Sequence, residues 1–528
     1  MAPTARASPA GSRSRALRVY RSKPGGRAGA ESPAAERPLT GLPPRVCSGA
    51  AVGGIQINMG CAARRDRPKA GSWPPPMSKR APARRPGSGQ LRQQPKQQLE
   101  AWFHQTLAAL DPRALLQPRL ACLPQPATGP YQHLAVFAFG KAAGPMLNGW
   151  LQAAANGLSG RAAGAVTETW IALPPGAPGV QPKLVTQAGA RFHAFEAGHP
   201  EPNAQSLAAA EAMLTVAHRL ASGPPIPSAL VALISGGGSA LVEAPLEGGL
   251  EDARQLYRAL VRSGASIGEI NTVRRHHSRF KAGRLAAAAA AAHVAQFTWV
   301  LSDVSGDRLG DVASGPTFPD ASTAAEARAV LERWLPGEAA AVRLEETPKP
   351  GDAVFARSQW ECLAGNGEAC AATAARARAA GYDPVVIDGR ADEWESGEAA
   401  AYLAARWRAL RALYPRPCLI AGGEVRVRVP SAAAGRGGRN QHLALQVAQA
   451  LAGIEFCFLS AGTDGIDGSS DAAGACVDGK TCARARARGF DCEAHLRGFD
   501  AEPLLAATGS LIRTGPTGNN LRDLRIFI

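Results

Sequence analysis

A lysine behind a glycine is the first group in this sequence with obvious chemical potential. The apolar run Ala135–Phe139 ends in Gly140-Lys141-Ala142-Ala143. The glycine lets the chain turn, and a cation leaving a strand end can neutralise phosphate oxygens. It is not a Walker A loop, because Ala135 stands where its first glycine belongs and Ala142 where its hydroxyl residue belongs. A second run, Val231–Ile234, enters Ser235-Gly236-Gly237-Gly238-Ser239. Three glycines let backbone N–H groups approach an anion, and a helix start just beyond adds partial positive charge. A third run, Phe297–Leu301, enters Ser302-Asp303, with Asp307 and Asp311 on the glycine-rich turns that follow. Such carboxylates suit Mg²⁺, which takes a few of them together with phosphate and water. One of them could instead accept a proton from a substrate hydroxyl.

Further polar groups follow the same rule. Arg274 and Arg275 lie in the basic stretch Glu269–His277, and Glu424 follows Gly422-Gly423. Arg439-Asn440-Gln441 opens a helix with a forked cation and two amides, suited to phosphate or carboxylate. Asp464 and Asp467 lie in Gly462–Gly468, and Asn520 closes Thr514–Asn520. In open α/β sheets ligands gather at the carboxyl ends of strands. Glycine with Lys, Arg, Asp or Asn at so many strand ends points to metal-assisted phosphoryl transfer in one cleft.

Those ends need strands and helices behind them. Hydrophobic runs predict strands at His133–Phe139, Arg161–Ile171, Ala229–Ile234, Thr298–Ser302, Asp383–Ile387, Pro417–Ala421, Val425–Val429 and Glu455–Ala461. Helical spacing predicts Leu99–Leu110, Asn203–Ser222, Gly248–Ser263, Arg279–Ala292, Ser322–Trp334, Cys370–Ala380, Ser396–Tyr414, Gln441–Leu451 and Thr481–Arg488. The alternation predicts an α/β fold of two α/β domains with a cleft between them. The first spans 96–345 and the second, smaller one 355–528, with a Pro- and Gly-rich boundary near Leu335–Ser358.

Charge separates a leader from the rest. The 528 residues carry a formal net charge of +16, but residues 1–95 hold 18 basic and three acidic side chains, a net of +15. The remainder, with 41 basic and 40 acidic residues, is nearly neutral. Residues 1–95 show no period that could bury a face, so disorder is expected there. They read as sequence upstream of a true start at Met77 or Met59, as a transit peptide, or as a solvated tail. The confined charge and the lack of interleaved aromatics argue against a nucleic-acid binder. No run of about 18 apolar residues occurs, so no membrane span is expected. Ten scattered cysteines without a C-x-x-C pair fit a reducing, cytoplasmic setting.

Seven motifs, in order, resemble the glycerate 2-kinase family, whose C-terminal part is the MOFRL domain. They are Phe139-Gly-Lys-Ala-Ala143, Glu196-Ala-Gly-His-Pro200, Ser235-Gly-Gly-Gly-Ser-Ala240, Ile270-Asn-Thr-Val-Arg274, Leu301-Ser-Asp-Val304 with Gly310-Asp311, Gly437-Gly-Arg-Asn-Gln441 and Gly462-Thr-Asp-Gly-Ile-Asp-Gly468. The resemblance runs from about Leu99 to the C-terminus. It implies a Rossmann-like N-terminal sheet and a MOFRL C-terminal domain. It also implies ATP-dependent phosphorylation of D-glycerate at its 2-hydroxyl, with Mg²⁺. Partners are then small molecules, D-glycerate and ATP, with neither nucleic acid nor membrane, and a homodimer is compatible with it.

By the same resemblance Lys141 and Arg439 are catalytic; Asp303, near the metal or the substrate hydroxyl, is expected as the next essential group. The phosphates are assigned to Ser235, Gly236, Gly237, Gly238, Ser239, Asn440 and Gln441. The substrate is assigned to Arg274, Glu424 and Asp464, and the metal to Asp307 and Asp311. Two positions depart from the family: Val425 replaces a threonine, and His442, expected on a helix surface, replaces a glutamate. The competing reading is an NAD(P)H-dependent hydroxypyruvate reductase. The nearest dinucleotide fingerprint, Gly365-Asn-Gly-Glu-Ala-Cys370, lacks its third glycine.

Overall fold

The computed structural model describes residues 94–121, 130–156, 165–430 and 435–528, all within one compact unit, Ser88–Ile528. The leader expected over 1–95 lies outside them except for its last two residues. Two six-stranded sheets organise the chain. The first comprises β1 (His133–Phe139), β2 (Val166–Leu173), β3 (Arg191–Glu196), β4 (Ser228–Ser235), β5 (Val294–Leu301) and β6 (Ser358–Ala364). Every pairing in it is parallel, in the order β3-β2-β1-β4-β5-β6.

Parallel strands covered on both faces must be apolar throughout, and β4 and β5 are buried at every position. Alternate β1 side chains feed opposite cores. Phe137 and Phe139 join the helix Ala204–Ser222, whereas Val136 and Ala138 join the helix Ala143–Ala155. Asn203 starts the former helix as expected, its Oδ1 accepting from Ser206 N at 3.0 Å.

The second sheet comprises β7 (Val385–Ile387), β8 (Cys418–Gly423), β9 (Cys457–Gly462), β10 (Gly474–Asp478), β11 (Leu511–Ile512) and β12 (Asp523–Phe527). Its order is β11-β10-β9-β12-β8-β7. β12 runs antiparallel between β8 and β9, so its first residue sits beside their last: Asp523 pairs with both Gly423 and Gly462. That register brings Glu424, Asp464 and Asp523 to one edge. The helices Ser396–Leu413 and Arg439–Ala450 cover one face, and Pro95–Ala109 and Asn366–Ala379 the other.

Several elements differ from expectation. Val425–Val429 is not a strand: Gly423, at φ +90°, turns the chain away, and Arg426 makes only a single bridge to Glu395. The helix expected over Arg279–Ala292 shrinks to Arg284–Ala288, because left-handed Ala282 and Gly283 interrupt it while burying Phe280 and Lys281. β6 lies past residue 355 yet pairs with β5 in the first sheet, and the helix Pro95–Ala109 packs on the second. Among the described residues no helix is long and apolar enough to cross a membrane.

Candidate active site

In the first sheet the strand order reverses between β1 and β4, and a crevice opens outside their carboxyl ends. Gly140-Lys141 leaves β1 there and Gly236-Gly237 leaves β4, joined by Lys141 N donating to Gly236 O at 2.9 Å. Ser235 Oγ, buried, accepts from Ala142 N at 3.0 Å. Asp303 leaves β5 so close to Gly236 that a Cβ on that glycine would lie 1.6 Å from Asp303 Oδ2. Only glycine permits this approach.

The second sheet closes the crevice into a cleft of about 670 Å³. Lys141, Asp303, Arg439, Glu424 and Asp464 all line it, with Gly237, His199, Asp467 and Asn520. Pro174–Pro178 and Ile466 form a more apolar wall. Contacts between side chains of the cleft join the two sheets. Lys141 Nζ lies 3.0 Å from Asp464 Oδ2, and Asn520 Nδ2 donates to Asp303 Oδ2 at 2.9 Å.

Arg439 opens the helix Arg439–Ala450 and is gripped by carboxylates. Its Nε and Nη2 donate to the two oxygens of Asp523 at 2.7 and 2.8 Å, and Glu424 Oε1 lies 2.8 Å from Nη2. Burial opposes the charge, but Asp523 and Glu424 outweigh it and hold the guanidinium protonated above its ordinary pKa. The helix start is capped from outside. Asp467 accepts from the backbone N of Asn440 at 3.0 Å and of Gln441 at 2.9 Å.

The cleft carries more negative than positive groups: Asp303, Glu424, Asp464 and Asp467 against Lys141 and Arg439. Burial pushes the Glu424 carboxyl up to about 7, with help from the Asp523 charge and against Arg439. Burial raises Asp467 to about 6 against the pull of its backbone donors. Asp303, held above its ordinary value by burial, makes no ion pair among the described residues. Burial and nearby Lys141 push His199 down, so its imidazole is neutral near pH 7.

Not every expected residue reaches the cleft. Of the glycine-rich loop only Gly237 lines it; Ser239 Oγ instead meets Ser314 Oγ at 2.9 Å, and Gly238 packs on Ala313. The helix beyond is the single turn Gly238–Leu241. Asn440 and Gln441 are buried behind the cleft; Asn440 Oδ1 accepts from Ser460 Oγ at 2.6 Å. Arg274 stays on its helix with its guanidinium 4.9 Å from the Tyr257 ring centroid.

The Asp307 side chain lies outside the described residues, and Asp311 lines a separate hollow, paired with Arg275 and Arg308. A carboxylate holding two guanidiniums is a poor metal ligand. His442 is not on the surface: it is buried and stacked on Phe499, with ring centroids 5.2 Å apart. Asp523, Asp392 and Arg522 did not emerge from sequence reasoning. The only hint of Asp523 is a charge at the mouth of the apolar terminus Leu524–Ile528.

Among the described residues no three His, Cys, Asp or Glu side chains stand close enough to hold a metal. A resident, protein-caged ion therefore does not fit. The excess of carboxylates lining the cleft does fit a divalent cation that arrives on phosphate oxygens, where Mg²⁺ needs only one or two protein oxygens.

Residues 98–345 match a domain of unknown function, DUF4147, and residues 417–523 match the MOFRL family. The chain is 41% identical over 344 residues to a D-glycerate 2-kinase of Thermotoga maritima, a match covering 63% of this chain and 79% of that protein. It is 40% identical over 349 residues to a putative hydroxypyruvate reductase of Agrobacterium vitis, covering 64% and 77%. A crystal structure of glycerate kinase from Thermotoga maritima superposes with a TM-score of 0.69 at 32% identity, covering 82% of this chain and 99% of that one.

Proposed function

The chain belongs to the glycerate 2-kinase family of enzymes, and from that premise we propose that it transfers the γ-phosphoryl group of ATP to the 2-hydroxyl of D-glycerate, giving 2-phosphoglycerate and ADP. One observation carries the reading: Lys141, Asp303 and Arg439, from three distant segments, line one cleft at the strand-order reversal.

Phosphoryl transfer asks a protein mainly for positioning and for cations where charge develops. Lys141 turns from Asp464 to the transferring phosphoryl group. Arg439, its fork fixed by Asp523, holds the glycerate carboxylate in place of Glu424. The 2-hydroxyl oxygen attacks the γ-phosphorus, the bond to the bridging oxygen of ADP breaks, and the hydroxyl proton passes to Asp303. A buried carboxyl with a raised pKa is a better base near neutral pH than an exposed one. Mg²⁺ carried on the nucleotide, held by Asp464 once Lys141 has left it, would draw charge from the phosphoryl oxygens.

The reductase reading finds less support. A dinucleotide fingerprint belongs after the first strand of such a sheet, whereas Gly365–Cys370 follows β6 at its edge. The test is ³¹P NMR of the product formed by the purified chain from D-glycerate and MgATP. A resonance of 2-phosphoglycerate is expected. No phosphorylated product, together with NADH oxidation by hydroxypyruvate, would overturn the proposal.

A further inference from the structure

The loop between β7 and the helix Ser396–Leu413 carries a carboxylate that the proposed reaction does not use. Asp392 Oδ2 accepts from Ser305 Oγ at 2.8 Å and from Arg522 Nη1 at 2.7 Å, and its Oδ1 accepts from the Glu424 backbone N at 2.9 Å. These three donors sit on three segments, each of which carries a side chain of the cleft. Ser305 lies two residues past Asp303 on the first sheet's β5 loop. Glu424 directly follows the second sheet's β8. Arg522 stands between Asn520, which holds Asp303, and Asp523, which holds Arg439.

The fit is built in. Gly423 has φ +90°, and a Cβ there would lie 2.4 Å from Asp392 Oδ1, so a side chain at 423 would push the carboxylate off the Glu424 amide. The next residue grips the same peptide from its other side, Glu393 N donating to Glu424 O at 2.6 Å. Arg522 is 6% exposed, so its charge has little solvent to turn to if Asp392 is lost.

We propose that Asp392 is a positioning residue: by holding Ser305, Arg522 and the Glu424 amide at once, it sets the separation between the Asp303 half and the Arg439 half of the cleft. The consequence for turnover rests on the kinase reading above; the positioning itself does not. A misplacement of about 1 Å can cost on the order of 100-fold in rate.

The test uses the full chain and the variants Asp392→Asn, Ser305→Ala and the double variant. Asp392→Asn keeps the shape and one carbonyl acceptor but loses the charge and the second acceptor oxygen. It is expected to lower kcat by about 10- to 100-fold while KM for ATP changes by less than about 3-fold. Ser305→Ala loses only the contact between the sheets and should cost about 3- to 10-fold. Because both act on the same contact, the two losses should combine in the double variant to less than their product.

Hydrogen exchange gives a readout independent of activity: the Glu424 amide and residues 302–306 should exchange faster in Asp392→Asn. Multiplicative losses in the double variant, or wild-type kcat in folded Asp392→Asn, would overturn the proposal. If wild type does not phosphorylate glycerate, the kinase reading fails, and exchange alone decides: unchanged rates overturn the positioning role. If Asp392→Asn does not fold, faster exchange over 302–306 in Ser305→Ala supports the role and unchanged exchange overturns it.

Discussion

Lys141 Nζ lies 3.0 Å from Asp464 Oδ2, although 323 positions separate them along the chain. The lysine leaves a parallel strand of one sheet and the aspartate a strand of the other, so this ion pair marks where the two halves of the cleft meet. Lys141 is 35% exposed and ends in a turn, so its own contribution to stability is small. Lys141→Ala is therefore expected to lower kcat by about 100- to 1,000-fold with an almost unchanged melting temperature. Steady-state kinetics beside a thermal melt checks both halves of that statement.

Arg439 should behave in the opposite way. Asp523 is fully buried and receives two of its hydrogen bonds from this guanidinium. Arg439→Met leaves that carboxylate without its main partner and should cost about 3–5 kcal/mol of stability as well as turnover. Arg439→Lys restores a charge but not the fork, and should recover stability in part while activity stays low. Urea unfolding of the two variants separates charge from geometry.

Glu424 gives stability a pH dependence with a definite sign. Its carboxyl rises from 4.5 to about 7 through burial and the charge of Asp523. The folded chain therefore binds this proton more tightly than the unfolded chain does. The associated stabilisation is full below about pH 4.5 and is lost as pH rises through 7. With a third of the side chain facing water, the effect should be about 1–2 kcal/mol. Glu424→Gln should flatten this part of the stability–pH curve between pH 5 and 8. A curve identical to wild type would contradict the assignment.

Metal dependence follows from the acid excess of the cleft. EDTA should abolish turnover, and Mg²⁺ should restore it. Asp464→Asn should raise the Mg²⁺ concentration required by about 10-fold, comparable to the loss of a supporting group at a metal site. Asp311→Asn, which touches the separate hollow with Arg275 and Arg308, should leave that requirement unchanged.

The central strands were legible for a physical reason. β1, β4 and β5 lie inside a parallel sheet, must be apolar on both faces, and therefore appear as unbroken hydrophobic runs. β3 and β6 are edge strands, half solvated, and their Arg-Phe-His and Gln-Trp-Glu stretches carry no such run. Lys141, Asp303, Glu424, Arg439 and Asp464 were legible because each follows a glycine-punctuated strand end or helix start. Asp523 and Arg522 sit in buried pairs, and what brings them to the site is the antiparallel insertion of β12 between β8 and β9; Asp392 meets Arg522 from the loop after β7. No local pattern of residues encodes that insertion. Arg274 and Gln441 differ in the reverse way: polar residues beside a motif can equally pack on a ring, as Arg274 does on Tyr257, or turn into the interior, as Gln441 does.

The most direct test of the account is a crystal structure of the chain with Mg²⁺, a non-hydrolysable ATP analogue and D-glycerate. The terminal phosphate is expected at Lys141, with the glycerate carboxylate on Arg439 and its 2-hydroxyl against Asp303. A nucleotide bound outside this cleft, or glycerate seated away from Asp303 and Arg439, would contradict it.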